Sequence, residues 1–137
     1  MEIDRTEGIL RFYGLEPDRK HIEDIRSLLI YEINDRNSDD NEYMKTLCIQ
    51  LFCLGQVEDT LLIWSAKRKS VDAGIYIDVQ LLCGAGFEET TRYLKSLNTL
   101  YANDQLKYLE KSGRTNDFDD FSRESVITFY KNYYGIS

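Results

Sequence analysis

Apolar residues recur along most of the chain at a spacing of three or four positions, which is typical of helices that bury one face. This pattern predicts seven or eight helices. They cover about residues 3–13, 18–33, 42–54, 57–69, 72–83, 87–97, 103–111 and 122–134. The polar stretch NDRNSDDN, between the second and third of these helices, has no such period and is predicted to be an exposed loop at 34–41.

One twelve-residue segment is repeated thirty positions further along the chain. Residues 49–60, IQLFCLGQVEDT, recur at 79–90 as VQLLCGAGFEET, and five of the aligned pairs are identical. In each copy, an apolar helix end is followed by a glycine-containing break and an acidic helix start. Self-similarity with a period of roughly 20–50 residues is typical of stacked helical hairpins. The sequence therefore predicts a single all-α domain over 1–137, arranged as a short solenoid of the HEAT or tetratricopeptide type.

The repeat and the last helix carry more specific expectations. Gln50 and Gln80 occupy equivalent positions, and each side-chain amide is expected to bond to a neighbouring backbone. The triplet FDD at 118–120 is either a third, divergent copy of the turn or a coincidence.

The predicted helix 72–83 is apolar on most sides and is expected to be the most enclosed element. The last helix is expected to cap the stack, with Tyr134 exposed and the following residues inward: Val126, Phe129, Tyr130 and Tyr133.

Composition and charge narrow the class of protein. A chain of 137 residues with 42% apolar content is about one domain with its own core. A net charge of −7 disfavours binding to nucleic acid, and it serves either solubility or attraction to a basic partner. No stretch approaches the roughly 18 apolar residues of a membrane span, and the N-terminal MEIDRTEG lacks the apolar run of a secretory signal. We therefore expect a cytoplasmic protein.

Residues that bind metals or act as nucleophiles are scarce. The three cysteines, Cys48, Cys53 and Cys83, lie in apolar segments and are expected to be reduced core residues. A chain whose one histidine is His21 is not expected to build a zinc site. The oxygen-rich loop 34–41 lacks the glycine and the glutamate that a calcium loop requires. The sequence thus predicts no metal, no cofactor and no catalytic residue.

Asp78 is the least expected residue in the pattern. The predicted fifth helix, together with the alignment of the two copies, puts its carboxylate on a packed face, at the position equivalent to Cys48. Burying an unpaired carboxylate costs several kcal/mol. Asp78 must therefore reach solvent or find a cation or hydrogen-bond donors. It either forms a structural ion pair with a cation such as Lys67 or Arg68, or lies on the polar floor of a groove between hairpins.

The second alternative defines a candidate binding groove. Tryptophan is enriched at protein-binding hot spots, although the helical spacing of Trp64 with Val57 and Leu61 favours burial in the core. The basic run KRK at 67–69 is the place where the surface potential could change from negative to positive. It is either a solvated helix end or an anion-binding site. The candidate binding residues are Trp64, Lys67, Arg68, Asp72, Tyr76 and Asp78.

The stretch 61–90, LLIWSAKRKSVDAGIYIDVQLLCGAGFEET, resembles a group of small, acidic, uncharacterised bacterial proteins. They share a similar run of Trp-x-Ala-Lys, Asp-Ala and Gln-Leu-Leu-Cys-Gly-Ala-Gly. The resemblance covers about a quarter of the chain and implies a bacterial, cytosolic helical domain, with no activity or catalytic residue to carry over. In size, charge and helical character the chain is also similar to the immunity proteins that neutralise bacterial toxins, a likeness of format and not of motif.

The sequence predicts a protein-binding module that acts by occlusion or scaffolding, with an immunity or antitoxin role as its most concrete form. An aromatic residue on a concave face would hold a basic protein partner, and acidic residues around it would speed the encounter. One alternative is a small-ligand-binding protein or enzyme built around Asp72 and Asp78, with a carboxylate whose pKa is shifted by enclosure. Another is a homodimer formed through the tyrosine-rich last helix.

Overall fold

Residues 4–136 are the part of the chain that the computed structural model describes, and they form helices and turns without any strand. The predicted all-α class is confirmed. Ile3, the predicted start of the first helix, lies outside the described residues. No helix within residues 4–136 is long and apolar enough to span a bilayer. The helices are α1 Arg5–Tyr13, α2 Ile22–Asn34, α3 Asn41–Leu54, α4 Asp59–Lys67, α5 Val71–Tyr76, α6 Phe87–Leu97, α7 Leu100–Gly113 and α8 Arg123–Tyr134, with 3-10 helices at Arg19–His21 and Val79–Cys83.

Side-chain caps set where most helices begin. Thr99 accepts a hydrogen bond from the backbone of Ala102, so α7 starts at Leu100 and not at the predicted Asn103. At the other end of an element, Gly55 adopts the left-handed conformation, with φ of 73°, and closes α3 as its sequence position predicts. Five α-helices have a capping side chain that accepts such a bond: Asp4, Asp40, Ser70, Thr99 and Ser122.

Helix α3 forms the centre of the core. All residues from Tyr43 to Cys53 are buried, and the helix packs against α1, α2, α4, α5 and the 3-10 helix at 79–83. In a solenoid each repeat contacts only its neighbours, whereas α3 is surrounded by elements from both sides of the chain. The solenoid arrangement is therefore not confirmed. The expectation that the fifth helix is the most enclosed element is wrong, because α3 has that position.

The predicted helix 72–83 is broken in the middle. Helix α5 ends at Tyr76, and the next residue, Ile77, has an extended backbone with ψ of 105° and a fully buried side chain. Asp78 then accepts a hydrogen bond from the Gln80 N–H and begins the 3-10 helix. An aspartate that caps the following turn competes with helix continuation, and this cap accounts for the break.

The two copies of the repeat lie against one another. The Gly84 Cα is so close to the Phe52 backbone that an added Cβ would meet the Phe52 carbonyl oxygen at 2.8 Å. Thr60, at the end of the first copy, donates from Oγ1 to the carbonyl oxygen of Leu82 in the second, at 2.7 Å. The apolar ends of both copies share the core: Leu51, Phe52, Cys53, Leu81, Leu82 and Cys83 are all buried.

The expectations for the two glutamines are confirmed. Gln50 donates from Nε2 to the carbonyl oxygens of Ile9 and Gly14, and Gln80 donates to that of Asp117. The copies still differ in form, because the first ends an α-helix and the second is a 3-10 helix. The FDD triplet lies in a run of turns and α8 begins only at Arg123, so this triplet does not repeat the turn-to-helix junction.

Candidate functional site

A cleft of about 290 Å³ opens between the 3-10 helix at 79–83, the turns at 114–121 and helix α8. We call it the acidic cleft, because three carboxylates line it and none of its lining residues is basic. Its lining residues are Asp78, Gln80, Leu81, Asp119, Asp120, Ser125, Val126, Phe129 and Tyr130.

Two phenylalanines fix the turns that carry Asp119 and Asp120. The Phe118 ring packs edge-on against Phe87, with centroids 4.9 Å apart, and against Phe121 at 5.3 Å. The two acidic residues lie between Phe118 and Phe121 in the chain and remain exposed. Asp120 has a positive φ of 56°, a conformation that aspartate tolerates better than most residues. Packing of the partly buried Phe118 and Phe121 rings thus leaves the acidic pair facing outward.

Asp78 reaches the cleft from the opposite wall. Its side chain is exposed and caps the 3-10 helix, so the expectation of a buried carboxylate on a helix face is wrong. It forms no ion pair with Lys67 or Arg68, although its negative charge does favour the protonated form of Lys67. Gln80 ties the two walls together, because its bond to the Asp117 carbonyl oxygen joins the 3-10 helix to the turns.

Helix α8 forms the apolar wall of the cleft. Its buried side chains are Val126, Ile127 and Tyr130, whereas Phe129 is 61% exposed and Tyr133 is 52% exposed. The inward orientation expected for Phe129 and Tyr133 is therefore wrong. The expected buried face and the observed one both follow the period of a helix. The observed face is rotated toward Ile127.

Contacts with helix α3 fix this rotation of α8. The Tyr134 hydroxyl lies 2.6 Å from Thr46 Oγ1 in the middle of α3, so the expected exposure of Tyr134 is also wrong. Arg123, in the first turn of α8, donates to the carbonyl oxygen of Cys53 at the end of α3. With both of its ends bonded to α3, helix α8 turns Phe129 toward the acidic cleft.

Lys45 joins the end of α5 to α8. Its Nζ lies 4.2 Å from the centroid of the Tyr133 ring and 5.7 Å from that of Tyr76. It also pairs with Glu42 at 3.1 Å. Because both rings flank one ammonium group, the end of α5 and the end of α8 present their exposed side chains near one another. We call these side chains the exposed strip, which consists of Ile75, Tyr76, Phe129 and Tyr133.

Three of the sequence-predicted site residues meet elsewhere, in a cleft of about 560 Å³ between α4, α5 and α7. We call it the tryptophan cleft. The expected burial of Trp64 is confirmed, since only 2% of the residue is exposed. The lining residues are Trp64, Lys67, Arg68, Ser70, Val71, Gly74 and Tyr108.

The basic run at 67–69 does not form one site. The Lys67 Nζ donates to the carbonyl oxygens of Gly74 and Ile77, at the end of α5, and burial lowers the pKa of Lys67. The Lys69 Nζ donates to three carbonyl oxygens at and beyond the end of α2. Arg68 is exposed and pairs with Asp104 at 3.1 Å. Two of the three cations thus cap helix ends.

The groove expected around Asp72 and Asp78 is not assembled. Asp72 is exposed in the first turn of α5, and Asp78 lies beyond the other end of that helix. The rest of α5 and the extended residue Ile77 separate the two positions. Tyr76 contacts neither of the two clefts and belongs to the exposed strip. Five of the six predicted residues are therefore divided among three surfaces, and Asp72 lies on none of them.

No protein-family model, curated protein or solved structure matches this chain. Within residues 4–136, no three histidine, cysteine or acidic side chains are grouped so as to hold a metal ion. The site residues that the sequence did not single out are Asp119, Asp120 and Phe129. The signal for the two aspartates is the segment FDDF at 118–121, where two acids stand between aromatic residues. Phe129 has no such signal, because its helical spacing equally fits a buried position.

Proposed function

We propose that this protein binds another protein through the acidic cleft and the exposed strip, and acts by occlusion or scaffolding instead of catalysis. The observation that carries the proposal is the position of Phe129. Its exposed ring belongs to a cleft that also presents Asp78, Asp119 and Asp120, without a basic residue among its lining groups. This combination suits a partner segment with one apolar side chain beside a lysine or arginine.

The two parts of this surface would contribute differently to binding. Burial of exposed apolar and aromatic side chains supplies most of the affinity at protein interfaces. Carboxylates mainly raise the association rate and select a partner of opposite charge, and the net charge of −7 adds to that attraction. Binding is therefore expected to weaken as the salt concentration rises, chiefly through slower association.

An immunity or antitoxin role is the most concrete form of the proposal, with a basic toxin as the partner. Covering the toxin's active surface would need only a stable, acidic, partly apolar face. Self-association is the main competitor, because a second copy also offers aromatic side chains to the exposed strip. No observation favours an enzyme around Asp72 and Asp78, which lie at opposite ends of α5.

The test is site-specific photo-crosslinking in cells that produce the protein. A benzophenone amino acid replaces Phe129 in one variant and Phe12 in the other, a matched control because Phe12 is also exposed, at 71%, but does not line the acidic cleft. Crosslinking to a different protein from position 129, and not from position 12, would support the proposal. Crosslinks only between copies of this chain would indicate self-association. No crosslink at 129, or equal crosslinks at both positions, would contradict the proposal.

A further inference from the structure

We infer that the tryptophan cleft binds a small organic anion, a carboxylate or phosphate carried on a flat apolar body. This site is separate from the proposed protein-binding surface, since none of its lining residues belongs to the acidic cleft. Its volume of about 560 Å³ lies within the usual range for small-molecule sites.

The charge of the cleft is the first observation. The chain has 24 acidic and 17 basic residues, yet two cations and no carboxylate line this cleft. Arg68 pairs with Asp104 through a single nitrogen, Nη1, so the rest of its guanidinium remains open to a ligand. The cleft therefore has the opposite sign to the protein as a whole and attracts an anion.

Lys67 is the second observation. Only 8% of this residue is exposed, and its ammonium group has no carboxylate in ion-pair contact among the described residues. Asp78 and Asp117 act on it through their charge alone, without a hydrogen bond or an ion-pair contact. Two of its three protons go to the carbonyl oxygens of Gly74 and Ile77, which leaves one donor for a ligand oxygen. A buried cation without a counter-ion is costly, and a bound anion would relieve that cost.

The aromatic walls are the third observation. The rings of Trp64 and Tyr108 have centroids 5.1 Å apart, and the Arg68 Cζ lies 5.0 Å from the indole centroid. Trp64 Nε1 is buried and has no hydrogen-bond partner among the described residues. Buried indole N–H groups usually have an acceptor, so a ligand oxygen would supply the one that is lacking. The Tyr108 ring, which is 38% exposed, provides an apolar face for a flat ligand body.

Trp64 is the only tryptophan in the sequence, so it reports on its own cleft. The experiment titrates the protein with phenylacetate, with phenylacetamide as an uncharged probe of the same shape, and with inorganic phosphate as a charge without an apolar body. The readouts are tryptophan fluorescence and the single indole N–H cross-peak in a proton–nitrogen NMR spectrum. Saturable binding of phenylacetate, at least tenfold tighter than that of phenylacetamide, supports a carboxylate ligand. Tighter binding of phosphate supports a phosphate ligand.

Two arginine variants localise the binding. Arg68→Gln, at an exposed position, is expected to weaken anion binding about tenfold without affecting folding. Arg92→Gln removes an equally exposed arginine, which pairs with Glu89 on α6, and is expected to bind like the wild type. The inference would be overturned by equal binding of phenylacetate and phenylacetamide without tighter binding of phosphate, by the absence of a saturable response to both anions, or by equal affinity of the two variants.

Discussion

Gly84 lies against the backbone of Phe52, where a Cβ atom would come within 2.8 Å of the Phe52 carbonyl oxygen and 3.0 Å of its Cα. Both contacts are with main-chain atoms, which have no rotamer by which to move away. The contact joins the end of α3 to the second copy of the repeat, so the close approach of the two copies depends on a residue without a side chain.

Replacement of Gly84 by alanine is therefore expected to lower the free energy of unfolding by about 1–3 kcal/mol, the usual effect of overpacking. Gly8→Ala is the matched control. It changes glycine to alanine inside α1, where an added Cβ has nothing within 4 Å, and is expected to stabilise the protein by about 0.5–1 kcal/mol. Urea unfolding measures both changes. A neutral Gly84→Ala variant would mean that the copies are not in this close contact.

Arg26 holds a buried carboxylate at the start of α4. Its Nε and Nη2 atoms donate to the two oxygens of Asp59 at 2.7 and 3.1 Å, and the Asp59 side chain is only 5% exposed. Arg26→Met is expected to destabilise the protein by about 3–5 kcal/mol, because it leaves a buried charge unpaired. Arg92→Met removes an exposed arginine paired within one helix and is expected to cost less than about 1 kcal/mol. Equal losses in thermal or urea unfolding would disprove the role of the buried pair.

The buried thiols predict a loss of stability at alkaline pH. Cys83 is fully buried, and this burial raises the pKa of its thiol from 9.0 to about 12. Above pH 9 the unfolded chain therefore releases a proton that the folded chain retains, so the free energy of unfolding falls as the pH rises, by up to about 1.4 kcal/mol per pH unit for this group.

The measurement compares urea unfolding at pH 8 and pH 10.5 for the wild type and for Cys83→Ala. The variant is expected to be less stable at both pH values, because the substitution leaves a small cavity. Its free energy of unfolding should fall by about 2 kcal/mol less between pH 8 and pH 10.5 than that of the wild type. Tyrosines titrate in both proteins and cancel in the comparison. The same alkaline loss in both would show that the Cys83 thiol is accessible to solvent in the folded state.

Local rules predicted three features of the fold. These are the all-helical class, the glycines at the turns and the burial of Trp64. Apolar spacing and capping residues act within a few positions of one another, and a recurring segment of twelve residues fixes similar turns. The backbone bonds of Gln50 and Gln80 could be predicted from their equivalent positions in the two copies, whereas their acceptors, 36 to 41 residues away, could not.

The acidic cleft depends on long-range contacts that the pattern does not contain. The predicted buried stripe at Val126, Phe129, Tyr130 and Tyr133 is half right, because Val126 and Tyr130 are buried together with Ile127. Both stripes fit a helical period, and the bonds of α8 to Thr46 and Cys53 decide between them. The apolar spacing runs through 75–82 without interruption and predicts a continuous helix across Ile77. The cap of Asp78 on the following turn breaks that helix and places the carboxylate outside it.

The most direct test of the central claim is the affinity of the partner crosslinked from position 129, measured with two charge-matched variants. Asp78→Asn combined with Asp120→Asn removes two charges from the acidic cleft while keeping side chains that suit a cap and a left-handed backbone. Glu88→Gln combined with Glu110→Gln removes two exposed charges from α6 and α7. We predict that the cleft variant binds at least tenfold more weakly than the wild type and that the control binds within twofold of it. Equal affinities of the two variants would contradict recognition at the acidic cleft.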